Sequence, residues 1–398
     1  MGQKTADVSL QNMGEHISQT AATVTFGGTS VGFQLVRILP QNESKCDSII
    51  GLPLSELTGV QPIGLIINIL PKKETESLSI SSKDLEGVIE KKIGDFINQI
   101  SGVTHQQTRD KIEIRVSKKA ISNGLTFEEI QDDLKDLILE HFPFIENVFI
   151  QIITDPSVVG KELKNALQIY NARDERALSL HDENVPVFYG CRICQIGCPS
   201  HVCIITPDHP SVCGTINWFE AGAACISNPD GPVFEIKKGE LIDSTAGEYT
   251  GVNDAVQIES RGETQSVFLY SLIENPHTTG SSFDIIAFYI PELDGIGLVG
   301  RETEGDCVNG VSFEEMSIFT GYGQQISGFS GIGETYLFSE KFLQKEGGWD
   351  RVVWISEKLK NRLKQKAKDK KLADRISALP TEKDVKNIKE LEQFLKNR

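Results

Sequence analysis

Residues 190–213 read GCRICQIGCPSHVCIITPDHPSVC, and this stretch holds five of the eight cysteines of the 398-residue chain. Its cysteines follow the spacing C-x2-C-x3-C-x4-C-x9-C and are Cys191, Cys194, Cys198, Cys203 and Cys213. Thiolates are soft ligands that bind iron–sulfur clusters, zinc and copper(I), and a C-x2-C pair lets one turn supply two ligands to one centre. We therefore predict that this stretch holds a metal centre, with an iron–sulfur cluster favoured over zinc.

The main alternative for so many cysteines is a disulfide framework, which small secreted domains use when they cannot bury enough core. A chain of 398 residues with 39% hydrophobic residues can bury two or three ordinary cores. The first residues, MGQKTADVSLQN, lack the apolar run of a signal peptide, and no apolar run is long enough to span a membrane. We expect a soluble protein of the reducing cytoplasm. We also expect the remaining cysteines, Cys46, Cys225 and Cys307, to be small buried hydrophobic residues.

Charge is distributed unevenly along the chain. The formal net charge is −16, and residues 357–398 carry 14 Lys and Arg against 7 Asp and Glu, which leaves −23 on the rest. An acidic body argues against nucleic acid, because clustered cations dominate binding to phosphates. Within the basic segment 358–371, apolar residues recur at helical spacing, so we predict a helix with a solvated basic face. The alternative is a docking surface for an acidic partner.

Residues 1–160 alternate strand-like and helix-like segments. Segments rich in β-branched and aromatic residues predict strands at 22–27, 31–39, 62–70, 111–117 and 147–154. Apolar residues at helical spacing follow Ser81-x-x-Asp84 and again Thr126-x-x-Glu129, and both pairs resemble a capping box. We therefore predict a sheet with two helices packed on it.

We predict a polar, amphipathic helix at residues 161–180, which joins the first domain to a second domain of different composition. Beyond residue 185 the chain is rich in glycines and loops, with strands predicted at 267–273, 283–290, 335–338 and 352–355, and a last helix from Thr381-x-x-Asp384. The fold class that we predict is mixed α/β (α+β) with two domains. We place an α/β domain at 1–162, a cysteine-rich cluster-binding domain at 163–356 and a basic helical tail at 357–398.

Two other patterns could suggest ligand sites. Gly295-Ile-Gly297-Leu-Val-Gly300 matches the dinucleotide fingerprint G-x-G-x-x-G, but the residues after it lack an apolar helical stripe. The fingerprint needs a helix N-terminus to receive the pyrophosphate, so we predict that this segment is not a nucleotide site. His201 and His209 lie between the cysteines. With five thiols available, we expect each to be a hydrogen-bond donor beside the centre or a surface residue.

The cysteine stretch resembles the cluster-binding region of the acetyl-CoA synthase β subunit, the nickel–iron–sulfur subunit of the carbon monoxide dehydrogenase/acetyl-CoA synthase complex. The resemblance is carried by Gly190-Cys-Arg-Ile-Cys194, Cys198-Pro-Ser-His-Val-Cys-Ile-Ile-Thr-Pro207 and Cys213-Gly-Thr-Ile-Asn-Trp218, and it continues at 274–276, 290–292, 328–333 and 347–354. The length of the first domain is similar to that of the family's middle domain. The resemblance implies that Cys191, Cys194, Cys203 and Cys213 hold a four-iron four-sulfur cluster. It also implies that Cys194 occupies the position that bridges to a proximal nickel in the family.

Departures from the family pattern concern the nickel. The family holds two nickels with a Cys-Gly-Cys loop, and this chain reads Gly280-Ser281-Ser282 in its place. Serine hydroxyls are hard donors and cannot replace bridging thiolates, so we expect no nickel. Gly197 stands where the family has a bulky aromatic residue near the nickel, and Cys198 replaces a residue that is not a ligand.

Two functions follow from this combination, and whether the chain is an enzyme stays open. In the first, the chain is an iron–sulfur protein of one-carbon and corrinoid metabolism that transfers electrons or activates a corrinoid partner. Its partner would be a corrinoid iron–sulfur protein or another corrinoid protein, with a carbon monoxide dehydrogenase subunit or a ferredoxin as further candidates. In the second, the chain is an acetyl-CoA synthase/decarbonylase-type enzyme, an acyltransferase, whose remodelled metal site uses Cys194 and Cys198. We favour the first because nickel needs the missing thiolates.

Overall fold

The computed structural model describes residues 17, 21–28, 30–40, 43, 45–72, 82–108, 111–196, 200–211, 216–274, 285–320 and 326–397. The chain divides into two compact units, residues 1–175 and 176–398. The division falls within the helix Pro156–Leu178, which is the helix that the sequence predicts at the domain boundary. Both units combine helices with sheets, so the predicted mixed α+β class is confirmed.

The elements are numbered in chain order. The strands are β1 (Ala22–Gly27), β2 (Gly32–Ile38), β3 (Ser48–Ile50), β4 (Gly59–Gln61), β5 (Ile63–Pro71), β6 (Val103–Thr108), β7 (Lys111–Ser117), β8 (Ile145–Ile153), β9 (Val187–Cys191), β10 (Cys203–Ile205), β11 (Val233–Lys237), β12 (Leu241–Asp243), β13 (Glu248–Tyr249), β14 (Ile285–Ile290), β15 (Gly295–Gly300), β16 (Phe329–Ile332) and β17 (Val352–Ile355). The helices are α1 (Ser82–Ile97), α2 (Lys118–Ser122), α3 (Phe127–His141), α4 (Pro156–Leu178), α5 (Trp218–Ser227), α6 (Thr250–Glu259), α7 (Phe313–Phe319), α8 (Glu357–Lys366), α9 (Lys370–Ala378) and α10 (Ile388–Lys396).

The first unit contains two four-stranded sheets, with the orders β2-β5-β8-β3 and β4-β1-β7-β6. One apolar core joins both sheets to α1 and α3, and a second core packs α4 on the other face of the first sheet. Strand β5 is therefore covered on both faces, which explains its continuous run of apolar residues. All five predicted strands of this unit are confirmed within two residues, and so is the capping box at Thr126 and Glu129.

A buried ion-pair network supports the edge strand β2. The backbone N–H of Val36 donates to Glu90 Oε2 at 3.0 Å, and that of Ile38 donates to Glu86 Oε1 at 2.9 Å. Both carboxylates, on α1, pair with the guanidinium of Arg173 on α4, at 3.3 Å for Glu90 and 3.2 Å for Glu86. Two carboxylates of α1, which Arg173 of α4 neutralises, thus accept from backbone donors that an edge strand leaves without a strand partner.

His105 lies buried beside this network as a neutral ring. Its Nε2 donates to Gln34 Oε1 at 3.1 Å, and burial lowers the pKa of His105 to about 4. The unfolded chain, with a histidine pKa near 6.5, therefore binds the proton first as the pH falls. Because stability rises with pH wherever the unfolded state binds more protons, His105 destabilises the fold progressively as the pH falls below 6.5.

Replacing His105 by glutamine should remove that part of the pH dependence. Between pH 7 and pH 4, the native chain should lose about 3 kcal/mol more unfolding free energy than the His105→Gln variant. Urea unfolding of both proteins at the two pH values measures the difference, in which the contributions of all other groups cancel. Equal losses in the two proteins would show that His105 ionises normally in the fold.

The second unit contains a three-stranded sheet of order β10-β9-β11, a hairpin of β12 and β13, and a four-stranded sheet of order β16-β14-β15-β17. The glycine-rich segment 295–300 is strand β15 inside this last sheet, so it is not a loop leading into a helix. The predicted strand at 352–355 is confirmed, and the described part of 283–290 forms β14.

Four predicted elements of the second unit differ from the structure. Residues 267–273 form no strand, because their apolar side chains fill the core without pairing to a sheet, and 335–338 belong to a 3-10 helix that buries Tyr336. The basic segment 358–371 contains two helices, because the Asp369 side chain caps α9 by accepting from two backbone N–H groups. Thr381 and Asp384 close a turn, and the last helix begins at Ile388 after the cap Asn387.

The basic tail is part of the second unit's core. Its apolar residues Leu359, Leu363, Ile376 and Leu379 pack with residues of β14, β15 and β17. Several of its cations pair with acidic residues that precede the tail in the same unit: Lys358 with Glu304, Arg362 with Glu302 and Glu334, and Lys366 with Glu334. Every helix in the described ranges is too short or too polar to cross a bilayer.

Candidate metal centre

Two of the predicted ligands face each other across a pair of strands. Cys191 ends β9, Cys203 begins β10, and the two residues are direct partners in the antiparallel register. Directly opposite residues point to the same face of a sheet, with their Cβ atoms about 4.5–5.5 Å apart. Both side chains are buried. The sheet thus brings together two thiols that are twelve positions apart in the sequence.

Cys194 lies in a 3-10 turn that immediately follows β9 and is anchored on both sides. The backbone N–H of Arg192 donates to Pro232 O at 3.1 Å, and its guanidinium lies 3.0 Å from the Glu259 carboxylate at the end of α6. Gln195 Nε2 donates to the backbone oxygen of Glu259 at 3.3 Å. The half-buried Cys194 sits between these two anchored residues, so α6 fixes the turn that carries it.

Gly190 permits a close contact that supports the same turn. A Cβ atom at this position would lie 2.2 Å from Cζ of Phe234, so only glycine leaves space for the ring. The same ring lies under the Arg192 guanidinium, with the cation 5.0 Å from the ring centroid. Phe234 thus packs on the strand before Cys191 and stacks on the residue after it.

The described residues on either side of Cys213 are bonded to each other. The backbone N–H of Ser211 donates to Ile216 O at 3.1 Å, and the N–H of Ile216 donates to Ser211 Oγ at 2.9 Å. Ile216 packs against the apolar cluster that contains Cys191 and Cys203. Asn217 then caps α5 in a capping box with Glu220. Both ends of the segment that contains Cys213 are therefore held beside the opposed cysteines.

Several predicted site residues lie outside the described residues. They are Gly197, Cys198, Cys213, Gly280, Ser281 and Ser282. Within the described ranges, no three His, Cys, Asp or Glu side chains converge as a metal-ligand set. The described donors fit part of a thiolate-held centre, since Cys191 and Cys203 are opposed and Cys194 follows in an anchored turn.

The surroundings of the opposed cysteines are apolar and include a third thiol. Cys191 and Cys203 pack with Tyr189, Ile205, Ala221 and Val233, and Cys225 of α5 packs against the same cluster. Burial raises the pKa of Cys225. This thiol is half-buried rather than buried as expected, and it lies beside the site. The helical spacing of Ala221 and Cys225 is the sequence signal that both face the same side of α5.

The other cysteines and the two histidines differ in how they are placed. Cys307 is buried as expected, and burial raises its pKa to about 12. Cys46 is exposed between the charged residues Lys45 and Asp47, so the expectation that Cys46 is buried was wrong. His201 and His209 are both buried, so neither is a surface residue. Burial lowers the pKa of His209 to about 4, and its ring packs 4.6 Å from that of Tyr336.

A buried pair of carboxylates, Asp182 before β9 and Asp208 after β10, was not predicted from the sequence. Asp182 and Asp208 each accept a hydrogen bond from the other's backbone N–H, at 2.8 Å in both directions. Asp182 also accepts from Thr206 Oγ1 at 2.9 Å and from the Tyr270 hydroxyl. Burial, with the neighbouring Asp208 charge, raises the pKa of Asp182 to about 6. The half-exposed His181 places Nδ1 3.1 Å from Asp208 Oδ1, and this hydrogen bond raises the pKa of His181.

Comparisons with known proteins identify the class to which this fold and cysteine arrangement belong. Residues 5–159 match the family model described as the CO dehydrogenase/acetyl-CoA synthase complex beta subunit, and residues 170–398 match the model for the C-terminal part of the ACS/CODH beta subunit. The chain belongs to this family of beta subunits, and the resemblance carried by the cysteine motif is confirmed.

Individual relatives extend the match over nearly the whole chain. The acetyl-CoA decarbonylase/synthase complex subunit beta 2 of Methanocaldococcus jannaschii is 42% identical over 394 residues, which cover 98% of this chain and 81% of the relative. Subunit beta 1 of that organism is also 42% identical over 394 residues, and there the chain spans about half (51%) of the relative. Subunit beta 2 of Methanosarcina acetivorans is 41% identical over 397 residues, which cover 98% and 82%. A solved C-terminal domain of an acetyl-Coenzyme A synthase alpha subunit is 29% identical, covering 29% of this chain and 89% of the domain with a TM-score of 0.26.

Proposed function

We propose that this chain holds a four-iron four-sulfur cluster through Cys191, Cys194, Cys203 and Cys213. The observation that carries the proposal is the opposed pair of buried cysteines at the facing ends of β9 and β10. The anchored turn at Cys194, and the hydrogen bond between Ser211 and Ile216 on either side of Cys213, support the other two positions. All four donors are soft, which suits iron–sulfur clusters. A bound cluster would supply one-electron transfer, while the apolar residues around Cys191 and Cys203 would exclude water.

The softness of the ligand atoms also argues that this chain lacks the dinickel site of the family. Gly280, Ser281 and Ser282 stand in place of the Cys-Gly-Cys loop. Glycine offers no side chain, and a serine hydroxyl is a hard, weakly acidic donor, so this loop lacks the thiolates that would bridge two nickels. The chain therefore keeps the family scaffold with soft thiolates in the cysteine stretch and none at the loop that holds nickel in the family.

The proposed role is electron transfer or activation of a corrinoid protein in anaerobic one-carbon metabolism. The relatives are by name subunits of acetyl-CoA decarbonylase/synthase complexes, which supports partners from such a complex. A corrinoid iron–sulfur protein is the partner that we propose first, and a carbon monoxide dehydrogenase subunit or a ferredoxin could exchange electrons with the same centre. The reducing cytoplasm is the compartment that such a centre needs.

Electron paramagnetic resonance of the reduced protein, prepared without oxygen, tests the cluster directly. We expect a signal from one reduced four-iron cluster per chain, and mixing with an oxidised corrinoid protein should transfer that electron and abolish the signal. A protein that binds zinc or no metal would give no signal, and the proposal would then be wrong.

Membership of the family favours a second candidate, an acetyl-CoA synthase/decarbonylase-type enzyme. In this alternative Cys194 and the additional Cys198 capture a metal beside the cluster, and Gly197 leaves space for a substrate. The test is exchange of carbon monoxide with the carbonyl group of acetyl-CoA, measured with nickel supplied. Turnover would favour the enzyme, and absence of turnover in protein that contains a full cluster favours the redox role.

Replacing Cys198 by alanine tests the choice of ligands. Because four other cysteines supply a complete thiolate set, the Cys198→Ala variant should keep the iron content of the native chain. The measurement is iron per chain in the two proteins, purified side by side without oxygen. Loss of iron from the variant would mean that Cys198 is a ligand and that one of the four chosen cysteines is spare.

A further inference from the structure

We propose that Cys191 and Cys203 close into a disulfide when the chain holds no metal and meets an oxidant, and that this bond controls whether a cluster can be inserted. The disulfide occupies two of the four proposed ligands, so a chain in this state cannot accept a cluster until the bond is reduced. The control of insertion rests on the proposed function, whereas the disulfide itself depends only on how the fold arranges the two thiols.

The strand register places the two α-carbons at a distance that a disulfide can span. The backbone N–H of Arg192 donates to Pro232 O at 3.1 Å, so residue 192 directs its backbone groups toward β11. Because these groups alternate between the two sides of a strand, Cys191 directs its own toward β10, where Cys203 is its partner. A hydrogen-bonded antiparallel pair has its Cα atoms about 5.5 Å apart, and disulfides span roughly 4.4–6.8 Å between Cα atoms.

Both side chains point to the face of the sheet that α5 covers. Cys191 and Cys203 belong to the apolar cluster that includes Ala221 of α5, while Phe188 and Ile204 belong to the core on the opposite face. Opposed Cβ atoms lie about 4.5–5.5 Å apart and those of a disulfide about 3.5–4.5 Å, so closing the bond draws the side chains together by about 1 Å. A disulfide that departs from ideal geometry is easier to reduce, which suits a reversible switch.

The position of the pair at one end of the sheet gives an oxidant access to both thiols. Cys191 is the last residue of β9, and Cys203 is the first residue of β10, a three-residue strand at the edge of the sheet. The two residues are buried, at 8% and 7% exposure. The end of a short edge strand opens locally at a low cost in free energy, so brief opening there exposes the pair without unfolding the unit.

Two further described thiols lie near the pair, and neither faces it across paired strands. Cys225 of α5 accepts a hydrogen bond from the backbone of Glu235. Glu235 pairs with Tyr189, which lies about 7 Å along β9 from the opposed cysteines, because two residues of a strand span that distance. Cys194 lies in the 3-10 turn beyond the end of β9, and α6 anchors that turn. Cys225 and Cys194 are therefore internal comparisons for the opposed pair.

The proposed oxidation is a thiol–disulfide exchange in which the oxidant is a low-molecular-weight disulfide. The thiolate of one cysteine attacks a sulfur of the oxidant, forms a mixed disulfide and releases one thiol molecule. The second cysteine then attacks the sulfur of the first, forms the Cys191–Cys203 bond and releases the other thiol. Two electrons pass to the oxidant, and the two cysteine protons end on the released thiols. Because a disulfide, unlike a sulfinic or sulfonic acid, is readily reduced, both ligands stay recoverable.

Peptide mass mapping of the metal-free, full-length protein tests the disulfide. The chain is freed of metal by a chelator under a reductant, incubated without oxygen in buffers of increasing oxidised glutathione, alkylated and digested. We expect one dominant cross-link, between Cys191 and Cys203, and no cross-link in protein that holds a full cluster, where both thiols are engaged. Free thiols at both positions of the oxidised chain, or a dominant bond to any other cysteine, would overturn the inference.

Serine variants separate the opposed pair from its neighbours. Cys203→Ser should leave Cys191 without this cross-link. Cys225→Ser, the matched control from the same apolar cluster, should form the bond as the native chain does. Loss of the bond in Cys225→Ser would show that the pairing has been misassigned. Since the mapping is done first on the native chain, the test does not depend on the folding of a variant.

Brief exposure to iron and sulfide, with no added thiol, links the bond to cluster insertion. The oxidised chain should take up almost no iron, and prior treatment with dithiothreitol should restore about four irons per chain. Mapping repeated at the end checks that the bond has persisted. Equal iron uptake by the oxidised and reduced chains would overturn the control of insertion. A reduced chain that takes up no iron would instead contradict the proposed function while leaving the mapped disulfide in place, so the two failures are distinguishable.

Discussion

Replacing Cys191 by serine should reduce the iron bound per chain from about four to near zero. Cys191 is buried and its position is fixed by pairing with both Cys203 and Val233, so a serine at this position should stay at the same place in the sheet. Serine has nearly the same shape, and the fold should survive while the soft donor is lost. Iron analysis and the visible absorption of protein purified without oxygen measure the effect.

Cys46→Ser is the matched control for this experiment. It makes the same substitution at an exposed cysteine of the first unit, and its iron content should equal that of the native chain. Circular dichroism of both variants checks that the fold is kept. Full iron in a folded Cys191→Ser variant would exclude this residue as a ligand, and the assignment of the opposed pair would then be wrong.

Replacing Glu90 by alanine should lower the unfolding free energy by about 3–5 kcal/mol, the usual cost of removing one partner from a buried ion pair. The substitution removes the carboxylate that lies 3.3 Å from Arg173, where both side chains are 7% exposed. It also removes the acceptor of the Val36 backbone N–H on the edge strand β2. Urea unfolding, followed by circular dichroism, measures the change.

The neighbouring pair Lys92–Asp95 supplies the control on the same helix. Its side chains are 34% and 57% exposed, and solvent screens an interaction at such a site. Lys92→Ala should therefore cost less than about 1 kcal/mol. If Glu90→Ala and Lys92→Ala had equal small effects, the buried network would contribute nothing to the stability of the first unit.

The elements that could be predicted from the sequence are those that leave a clear pattern of apolar or capping residues in it. Strand β5 and helix α3 are examples, because a covered sheet requires a continuous apolar run and a capping box marks a helix start. Short or polar strands such as β3 and β6 carry no such signal. Residues 267–273 show the opposite error, since they are apolar because they fill a core and they pair with no described strand.

The candidate site was predictable only where its residues are close in sequence. The C-x2-C spacing and the family resemblance select Cys191, Cys194, Cys203 and Cys213 from the amino-acid sequence alone. The contact of Asp182 with Tyr270 joins residues 88 positions apart, and that of Glu90 with Arg173 spans 83 positions. Each of these residues has an ordinary polar character in the sequence, and only the fold shows that it is buried and paired.

The iron and nickel content of the protein, purified without oxygen from cells supplied with both metals, tests the central claim most directly. The donor set predicts about four irons per chain and no stoichiometric nickel. Two tightly bound nickels per chain would contradict the account, because they would show that the loop at Gly280, Ser281 and Ser282 does not prevent formation of the family's dinickel site.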